Sequence, residues 1–421
     1  MEIRSDNKII EVYADWEGLP GPTLMGKLHV SRIRGKELFS FEYDQLWLKS
    51  GYNLYLDPNL EFYSGRQYLP DDKTNFGIFL DSSPDRWGRL LMRRREAAFA
   101  RKENRKENTL FETDYLLGVF DGHRMGGIRF KIDPGSEFLN NNKSLASPPW
   151  TSLGELENAS LKLEREDAGE DPDYMKWLSL LVDPGSSLGG ARPKAGVIDE
   201  KGNLWIAKFP SLNDDRDSGA WEMVLHQLAQ ACGIVVPDAR LLQFGSKHHT
   251  FLTRRFDRNH EGRRIHFTSA MTLLGYRDGA SHDEGVSYLE LVEIIQRFGA
   301  SPVQDLVQLW KRILFNVFVS NTDDHLRNHG FLLTDRGWRL SPAYDMNPNE
   351  NGTGLTLNIS ENDNELSIDL VMSVAGYFNL DEVKSNSIFG EMKAIISTWN
   401  DIAQKLGIPK KERQVIGKAF R

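Results

Sequence analysis

The sequence predicts an α+β fold in which a β-rich part precedes a larger, mainly helical part. Between Lys8 and Tyr43, apolar and polar residues alternate in short runs rich in β-formers, which is the pattern of half-buried strands. From Ser287 onward, apolar residues instead recur every three or four positions, as in a helix with a buried face. The chain has 421 residues, more than the ~250–300 that one hydrophobic core sustains, so we expect two or three domains.

Composition excludes several classes of protein. The net charge of −8 argues against a chain-wide basic surface for nucleic acid. The single cysteine, Cys232, can form neither an internal disulfide nor a thiolate metal site. The first residues contain no apolar signal segment, and no stretch reaches the ~18 apolar residues of a membrane span. We therefore expect a cytoplasmic protein that does not contact a membrane.

The first predicted domain covers residues 1–135. Its predicted elements are strands over Lys8–Ala14, Gly26–Ile33 and Phe39–Tyr43, a helix within Ser83–Lys106 that begins near Asp85, and a short strand over Met125–Phe130. The segment from Asp133 to Trp150 is rich in Pro, Gly and Asn. Such a composition is typical of an exposed linker, so we place a domain boundary within it.

Two further domains are predicted, over residues 150–256 and 257–421. The elements of the middle domain are strands over Ala195–Ile198, Leu204–Phe209 and Thr250–Arg255 and a helix over Trp221–Cys232. In the last domain, Ser287 and Glu290 have the spacing of a capping box, which predicts a helix that begins there and runs to Phe298. A second, buried helix is predicted to end near Phe318.

A polar run follows that buried helix, and we expect it to carry the chemistry. Asp323 and Asn328 have the D-x-x-x-x-N spacing of a protein-kinase catalytic loop. An Asp there can accept the proton of a substrate hydroxyl, and an Asn oxygen suits Mg²⁺. A hairpin then delivers Asp345, a second carboxylate for the metal. The alternative is an ordinary loop, because Asp and Asn are common loop residues. His325 and His329 do not indicate a zinc site, because no third ligand is evident.

Residues upstream of that loop are predicted to hold a nucleotide. The Gly/Ser-rich turn Gly185–Lys194 would let backbone N–H groups approach phosphates, with charge added by Arg192 or Lys194. Lys208 lies inside an apolar strand, where burial is costly unless the ammonium meets an anion. We expect it to bind the α- and β-phosphates, with Glu222 as its positioning carboxylate. Each feature also has a simpler interpretation. The Gly/Ser-rich segment would be a surface turn, Lys208 would lie on an edge strand and point to water, and Glu222 would be an ordinary charge on a helix face.

The order of these signals is more informative than any one of them. At Arg255 and Phe256 a strand ends where a two-lobed kinase would offer backbone groups to adenine, and Asp257 would accept from a ribose hydroxyl; the alternative is a surface Asp–Arg pair. Along the chain, the Gly/Ser-rich turn is followed by the strand lysine, the helix glutamate, the strand end and the acidic loop residues. A kinase requires these features in this order. The sequence therefore predicts a two-lobed protein-kinase-like fold, with a small β-rich lobe, a large helical lobe and an extra N-terminal β-rich subdomain.

Several runs resemble the HipA family of bacterial serine/threonine kinase toxins. They are Ser187-Leu188-Gly189-Gly190-Ala191-Arg192-Pro193-Lys194, Gly233-Ile234-Val235-Val236-Pro237, Arg255-Phe256-Asp257-Arg258, Thr322-Asp323-Asp324-His325-Leu326-Arg327-Asn328 and Ser341-Pro342-Ala343-Tyr344-Asp345. Two runs resemble the leading subdomain of that family, Leu80-Asp81-Ser82-Ser83-Pro84-Asp85 and Met125-Gly126-Gly127-Ile128-Arg129-Phe130. The resemblance extends over most of the chain. It implies an ATP- and Mg²⁺-dependent kinase that phosphorylates a protein hydroxyl.

The resemblance also implies a role for each matching position. Asp323 would be the catalytic base, and Asn328 and Asp345 would bind Mg²⁺. Lys208, positioned by Glu222, would hold the ATP phosphates. The other nucleotide-binding positions would be Ser187, Leu188, Gly189, Gly190, Ala191, Arg255, Phe256, Asp257 and His325. Ser187 would in addition be autophosphorylated, and a dianionic phosphate there would repel the phosphates of ATP.

Partners follow from the same resemblance. Family members commonly pair with a small, HipB-like helix-turn-helix antitoxin that binds operator DNA, so contact with DNA would be indirect. The best-known family target is an aminoacyl-tRNA synthetase. Arg192-Pro193 and Arg254 depart from the family's pattern and bear on nucleotide geometry and substrate identity. Two other functions share the motifs, namely a small-molecule kinase and a catalytically weak co-repressor that acts with a helix-turn-helix partner.

A basic run on the first predicted helix has two interpretations. Its members are Arg86, Arg89, Arg93, Arg94, Arg95, Arg101, Lys102, Arg105 and Lys106. The run would either contact DNA once an antitoxin is bound or form a solvated helix face.

Overall fold

The structure is a computed structural model that describes residues 7–33, 35–143, 146–181, 190 and 192–421. The chain divides into two compact units. The first unit comprises the chain up to Ile206 together with Asp257–Thr268, and the second comprises Ala207–Phe256 and Ser269–Arg421. The finer division into three domains, with boundaries near residues 135–150 and 256, stays a prediction.

Strands and helices are both numerous, as the α+β prediction requires. The strands are β1 (Asn7–Ala14), β2 (Thr23–Ile33), β3 (Lys36–Tyr43), β4 (Arg66–Tyr68), β5 (Ile128–Lys131), β6 (Lys194–Ile198), β7 (Leu204–Lys208), β8 (Ala239–Leu242), β9 (Thr250–Arg254), β10 (Phe267–Ser269), β11 (Gly330–Thr334) and β12 (Gly337–Leu340). The helices are α1 (Gln45–Lys49), α2 (Gly77–Leu80), α3 (Arg86–Lys102), α4 (Glu112–Gly118), α5 (Leu153–Leu163), α6 (Tyr174–Leu181), α7 (Ser218–Ala231), α8 (Ala270–Leu274), α9 (Tyr288–Phe298), α10 (Pro302–Phe318), α11 (Ile368–Ser373), α12 (Glu382–Ile396), α13 (Trp399–Lys405) and α14 (Lys410–Ile416). Among the described residues, no helix combines the length and the apolar character needed to cross a membrane.

The first unit is built on a five-stranded sheet with the strand order β4-β3-β2-β1-β5. All four neighbouring pairs are antiparallel. Ile10, Val12 and Ala14 alternate on β1 and are buried, so the alternation that predicted a half-buried strand reflects one face packed on the core. On β3, Phe41 and Tyr43 are likewise buried. The predicted amino-terminal strands are confirmed, although β2 and β3 each begin three residues earlier than predicted.

Helix α3 begins where the sequence predicts a helix start. Asp85 is its N-cap, and the Asp85 carboxylate accepts a hydrogen bond from the N–H of Gly88 at 2.8 Å. This satisfies one of the N–H groups that the first turn of a helix leaves without a partner.

In the second unit, two consecutive helices support the polar run. Helix α9 begins with the predicted capping box, in which the Ser287 hydroxyl accepts from the first turn and Glu290 accepts from the Ser287 N–H. Helix α10 has Pro302 at its first position, where the missing N–H of proline costs nothing. Its residues Trp310 and Ile313 are completely buried. The polar run therefore follows a rigid core helix.

Two strand pairs of the second unit lead into the candidate site. Strands β8 and β9 pair antiparallel, with Ala239 opposite Thr253. Strands β11 and β12 form an antiparallel hairpin in which Thr334 lies opposite Gly337. Gly337 has a backbone φ of 124°, which only glycine adopts without strain. This hairpin places the segment Ser341–Asp345 directly after β12.

Candidate functional site

Lys208 lies at the centre of a buried charge cluster in the second unit. Its Nζ donates to Glu222 Oε1 and to Asp345 Oδ1, both at 2.6 Å. Lys208 is the last residue of β7, Glu222 lies on the first turns of α7, and Asp345 follows β12. Lys208 and Glu222 are each 6% exposed. The predicted contact between Lys208 and Glu222 is therefore present, together with a contact to Asp345.

The two carboxylates hold the Lys208 ammonium in its charged form. Burial alone would lower the pKa of Lys208, because a charged group loses its hydration. The negative charges and hydrogen bonds of Asp345 and Glu222 outweigh that effect and raise the pKa of Lys208 above its ordinary value. A permanent positive charge is thus fixed at the end of β7.

The loop after α10 exposes one carboxylate and buries an amide. The Asp323 side chain is 82% exposed, and its Oδ1 lies 3.8 Å from Nε2 of His325. Asn328 donates from Nδ2 to the backbone oxygen of Asp323 at 2.7 Å. The Oδ1 atom of Asn328 is buried and has no hydrogen-bond partner among the described residues. A buried acceptor without a donor is costly, and a bound cation would satisfy it.

The segment that carries Asp345 is held in an unusual backbone conformation. Asp345 has a φ of 58°, in the left-handed region that few residues other than Gly, Asn and Asp occupy. The preceding residue anchors it, because the Tyr344 hydroxyl donates to the backbone oxygen of Arg327 at 2.7 Å. The ring of Tyr344 also packs against Phe256, with the ring centres 5.6 Å apart. The predicted hinge residue Phe256 and the loop after α10 thus both contact the residue before Asp345.

A buried polar network fixes the residue next to Asp323. Asp324 is 1% exposed, its carboxylate accepts from the Tyr288 hydroxyl, and its Oδ1 accepts from the N–H of Thr356 at 2.7 Å. Asn316 donates to the same Tyr288 oxygen at 3.1 Å. Burial raises the pKa of Asp324 to about 7, although these hydrogen bonds oppose the rise.

A second branch of the network joins the two acidic segments of the site. Asn321 donates to Asn316 Oδ1 at 2.9 Å and accepts from the N–H of Asn347 at 3.0 Å. Asn347 lies two residues after Asp345, and Asn321 two residues before Asp323. No specific sequence signal marks Tyr288 and Asn316, because each lies within the ordinary amphipathic pattern of a helix. Asn321 and Asp324 do lie within the polar run itself.

The predicted hinge residues differ in their surroundings. Arg255 is buried and Phe256 packs on Tyr344. Asp257 is completely buried in the first unit, where its Oδ2 accepts from the N–H of Gly126 at 2.9 Å and from Arg258 at 2.6 Å. A ribose contact would require this carboxylate to leave both partners. The alternative of an exposed surface pair is wrong, because the Asp257–Arg258 pair is buried.

Most of the predicted phosphate-binding turn lies outside the described residues, namely Ser187, Leu188, Gly189 and Ala191. Gly190 is exposed, and its backbone oxygen accepts from Lys194 Nζ at 3.0 Å. Lys194 is 5% exposed and forms an ion pair with Asp85 at 2.8 Å. The expectation that Lys194 would offer its charge to phosphates is therefore corrected: the ammonium is enclosed by acceptors of the first unit.

The basic run on α3 is partly neutralised within the chain. Arg89 forms two hydrogen bonds with the Glu112 carboxylate, at 2.6 and 2.8 Å. Arg105 pairs with Glu96 at 2.6 Å, and Arg94 donates to the Leu163 backbone oxygen at 2.8 Å. The Glu112 and Glu96 carboxylates reduce the charge that the run presents to a solvent-borne ligand, whereas the Leu163 carbonyl only holds Arg94 in place.

Comparison with known proteins identifies the family. The family model described as the HipA-like C-terminal domain matches residues 186–416, which is more than half of the chain. Over 146 residues the chain is 30% identical to the serine/threonine-protein kinase toxin HipA of Shewanella oneidensis, covering 30% of this chain and 33% of that protein. Over 184 residues it is 26% identical to a Haemophilus influenzae protein named "Putative kinase", covering 38% and 52%. The match thus spans about half, or less, of the length of these curated relatives.

Among solved structures, the toxin HipA of Shewanella oneidensis, in a complex with HipB and operator DNA, superimposes with a TM-score of 0.65. The superposition covers 97% of this chain and 94% of that one, at 17% identity. It confirms the predicted α+β, kinase-like fold, while the family-model match defines the class of protein. The chain belongs to the HipA family.

Proposed function

We propose that the protein is an ATP- and Mg²⁺-dependent kinase that transfers the γ-phosphoryl group of ATP to a hydroxyl of a protein. The observation that carries this proposal is the buried Lys208, which meets Glu222 and Asp345 at once. A lysine held by a helix glutamate beside a metal-binding aspartate is the arrangement that protein kinases use. Its curated relatives include a serine/threonine-protein kinase toxin, which supports the same class of activity.

Asp323 is the catalytic base in this proposal. Its exposed carboxylate can accept the proton of an incoming hydroxyl, while Lys208 offsets the charge of the α- and β-phosphates. Adenine would bind at Arg255 and Phe256, beside the loop that includes His325. Such a site works by positioning and by charge stabilisation rather than by covalent chemistry.

The oxygen ligands for Mg²⁺ are Asn328 and Asp345. Asn328 Oδ1 is buried without a partner among the described residues, and Asp345 contributes a carboxylate whose side chain is 21% exposed. Neutral and anionic oxygens suit Mg²⁺, which usually takes one or two protein ligands and completes its shell with phosphates and water. The ion would neutralise charge on the phosphates during transfer.

Regulation and partners follow the family. We infer that Ser187 is autophosphorylated, that a HipB-like helix-turn-helix antitoxin is a separate partner, and that any DNA contact runs through that antitoxin. HipA of Shewanella oneidensis forms such a complex with HipB and operator DNA. The protein substrate, an aminoacyl-tRNA synthetase in the best-known family case, belongs to the same proposal.

The test is phosphate transfer from γ-labelled ATP in the presence of Mg²⁺, followed by intact-mass analysis and location of the added phosphate. We expect labelling of Ser187 or of an added protein substrate. Asp323→Asn should reduce the rate at least ~100-fold, because general base catalysis contributes that much. Asp345→Asn should do the same without backbone strain, because Asn tolerates the left-handed conformation.

Asp323→Asn should unfold at nearly the wild-type temperature, because its side chain is exposed, whereas Asp345→Asn should lose stability, because Lys208 then keeps only Glu222 as a counter-ion. Transfer by Asp323→Asn at the wild-type rate would overturn the role of Asp323, and a wild-type protein that transfers no phosphate to itself or to a protein would overturn the function. Faster turnover of a small hydroxyl compound than of any protein would replace the protein substrate by a small molecule.

A further inference from the structure

The segment Lys410–Arg421 contacts two parts of the second unit that position candidate site residues, namely the start of α7 and the end of α10. We call it the 410–421 brace. It consists of α14, a short 3-10 turn over Gly417–Ala419 and the two residues that follow. None of its residues belongs to the proposed kinase chemistry, and no sequence motif pointed to it.

The brace first holds the amino-terminal end of α7. Glu412 Oε1 accepts from the indole Nε1 of Trp221 at 2.7 Å and from the backbone N–H of Asp217 at 3.0 Å. Asp217 is the N-cap of α7, and Trp221 immediately precedes Glu222. One carboxylate oxygen therefore fixes both ends of the helical turn that presents Glu222 to Lys208.

Aromatic packing reinforces this contact. Phe420 stacks on Trp399, with the ring centres 4.5 Å apart and the planes 11° from parallel. Both rings also contact Trp221, at 6.2 and 6.1 Å. At Gly417 a Cβ atom would lie 2.8 Å from the Trp399 ring, so the chain passes this ring as closely as glycine allows. Trp221 is thus enclosed by the brace and α13.

The brace also holds the start of the catalytic loop. The N–H of Arg421 donates to the Phe318 backbone oxygen at 2.9 Å, which occupies one of the carbonyl groups that the last turn of α10 leaves without a partner. The Ser320 hydroxyl donates to the Ala419 oxygen at 2.7 Å, and its oxygen accepts from Arg421 Nε at 3.3 Å. Ser320 has a φ of 48°, a conformation that a serine adopts only when its surroundings impose it.

We propose that the 410–421 brace sets the relative position of Glu222 and the catalytic loop, with Glu412 and Ser320 as positioning residues. This inference rests on the proposed kinase function. Glu412 acts through α7 on the Lys208–Glu222 pair and therefore on ATP binding. Ser320 acts through the loop on Asp323 and therefore on the chemical step.

The test for Glu412 separates nucleotide affinity from stability. Glu412→Ala should weaken binding of a non-hydrolysable ATP analogue with Mg²⁺ roughly tenfold, because two hydrogen bonds to a charged acceptor are lost. Glu412→Gln keeps an acceptor oxygen and should restore affinity to within about threefold of wild type. Calorimetric titration gives the dissociation constant and, through the stoichiometry, the folded fraction.

Arg413→Ala is the matched control. Arg413 is the next residue of α14, and its guanidinium bonds only Ile408, Asn400 and Gln404 among the described residues. This variant should lose stability but bind the analogue as wild type does. Equal affinity of Glu412→Ala and wild type would overturn the role of Glu412, and so would an equal loss of affinity in Arg413→Ala.

Ser320→Ala tests the second part of the proposal, which is the contact between the brace and the catalytic loop. It remains a sufficient test if Glu412→Ala does not fold. It should lower kcat roughly tenfold with an unchanged KM for ATP, because only the loop loses its anchor. An unchanged kcat would overturn the brace as a positioning element. If wild-type protein does not bind the ATP analogue at all, the proposed kinase function is wrong. If wild type binds the analogue and transfers phosphate, and Glu412→Ala and Ser320→Ala do so equally well, only the proposed role of the brace is wrong.

Discussion

Asp323 and Asp324 are neighbours in the chain with opposite surroundings. Asp323 is 82% exposed, whereas Asp324 is 1% exposed and bonded to Tyr288 and Thr356. The inward residue fixes the backbone from which the outward residue projects. The exposed position of the Asp323 carboxylate therefore depends on the buried carboxyl group of Asp324.

The buried position of Asp324 predicts a pH effect on stability. Its pKa is raised by burial to about 7, above the ordinary value of about 4. Between these values the folded state keeps a proton that the unfolded state releases, so stability falls as the pH rises through this window, by up to about 1.4 kcal/mol per pH unit. Asp324→Asn stays neutral and should lack this contribution.

The measurement is the free energy of unfolding in urea at several pH values within that window. Other groups titrate there too, so the difference in slope between wild type and Asp324→Asn is the quantity to compare. Identical slopes for the two proteins would show that Asp324 does not hold the proton. Tyr288→Phe, which removes the hydroxyl donor, should raise the pKa further and extend the window to higher pH.

Some residues of the candidate site could be predicted from the sequence, and others could not. Residue type and spacing singled out Lys208 and Asp345, because a lysine in an apolar strand and an acid after a hairpin stand out against their neighbours. Glu222 looks like an ordinary helix-face charge and was chosen only because a kinase requires a positioning carboxylate for its lysine. The direct Lys208–Asp345 contact was not predicted, since the lysine was expected to meet phosphates. Tyr288 and Glu412 could not be found, because each looks like an ordinary helix residue until its partner from another element is known.

Helix α3 shows how one residue can serve two elements. Asp85 caps α3 through Gly88 and also pairs with the buried Lys194 at the start of β6. The indole of Trp87 donates to the Lys194 backbone oxygen at 3.0 Å. The Leu80–Asp85 run, which the resemblance assigned to the leading subdomain, is thus joined to the strand that follows the Gly/Ser-rich turn.

Asp85→Asn should separate these two tasks. Asparagine caps helices as well as aspartate does, so α3 should stay intact, but Lys194 would be left as an unpaired buried charge at a cost of about 3–5 kcal/mol. The double variant Asp85→Asn with Lys194→Met removes both charges and should recover most of that loss. Urea unfolding measures all three proteins.

The control for this prediction is Glu112→Gln, which breaks the pair between Arg89 of α3 and Glu112 of α4. That pair is about one-quarter exposed at each partner, so we expect a loss of about 1 kcal/mol or less. If Asp85→Asn proves no more harmful than Glu112→Gln, the buried pair contributes little and the interpretation of Asp85 is wrong.

Elements with a strong period were predictable, and elements defined by packing were not. The start of α9 at its capping box and the apolar face of α10 follow from local chemistry. No specific element was predicted between Leu153 and Leu181, where α5 and α6 lie, because acidic residues there obscure the apolar spacing. Helices α12 to α14 were covered only by the general expectation of helices, since their stability comes from packing that a sequence does not display.

On the scale of the whole molecule, ligand binding should stabilise the protein if the proposed function is right. A non-hydrolysable ATP analogue with Mg²⁺, at about 100 times its dissociation constant, should add about 2.7 kcal/mol to the free energy of unfolding. Removal of Mg²⁺ with EDTA should abolish most of this gain. Asn328→Ala lacks the Oδ1 atom that we propose as a metal ligand. With the analogue and Mg²⁺, its free energy of unfolding should therefore rise only as little as that of wild type does when EDTA removes Mg²⁺.

Thermal unfolding with and without the ligand checks this prediction. Arg413→Ala serves as the control, because it lowers the starting stability without touching a proposed ligand and should show the full gain. No shift in wild type would count against ATP binding. A full gain in Asn328→Ala would count against Asn328 as a metal ligand.

The ion pair between Lys194 and Asp85 has a practical consequence for anyone who prepares a shortened gene. A truncation that starts inside the loop at residues 133–150 would retain Lys194 and discard the acid that neutralises it, along with the indole of Trp87. The expressed fragment would then expose the start of β6 to solvent and leave Lys194 without its counter-ion. Successful fragments should therefore start before residue 80, so that they keep both Asp85 and Trp87.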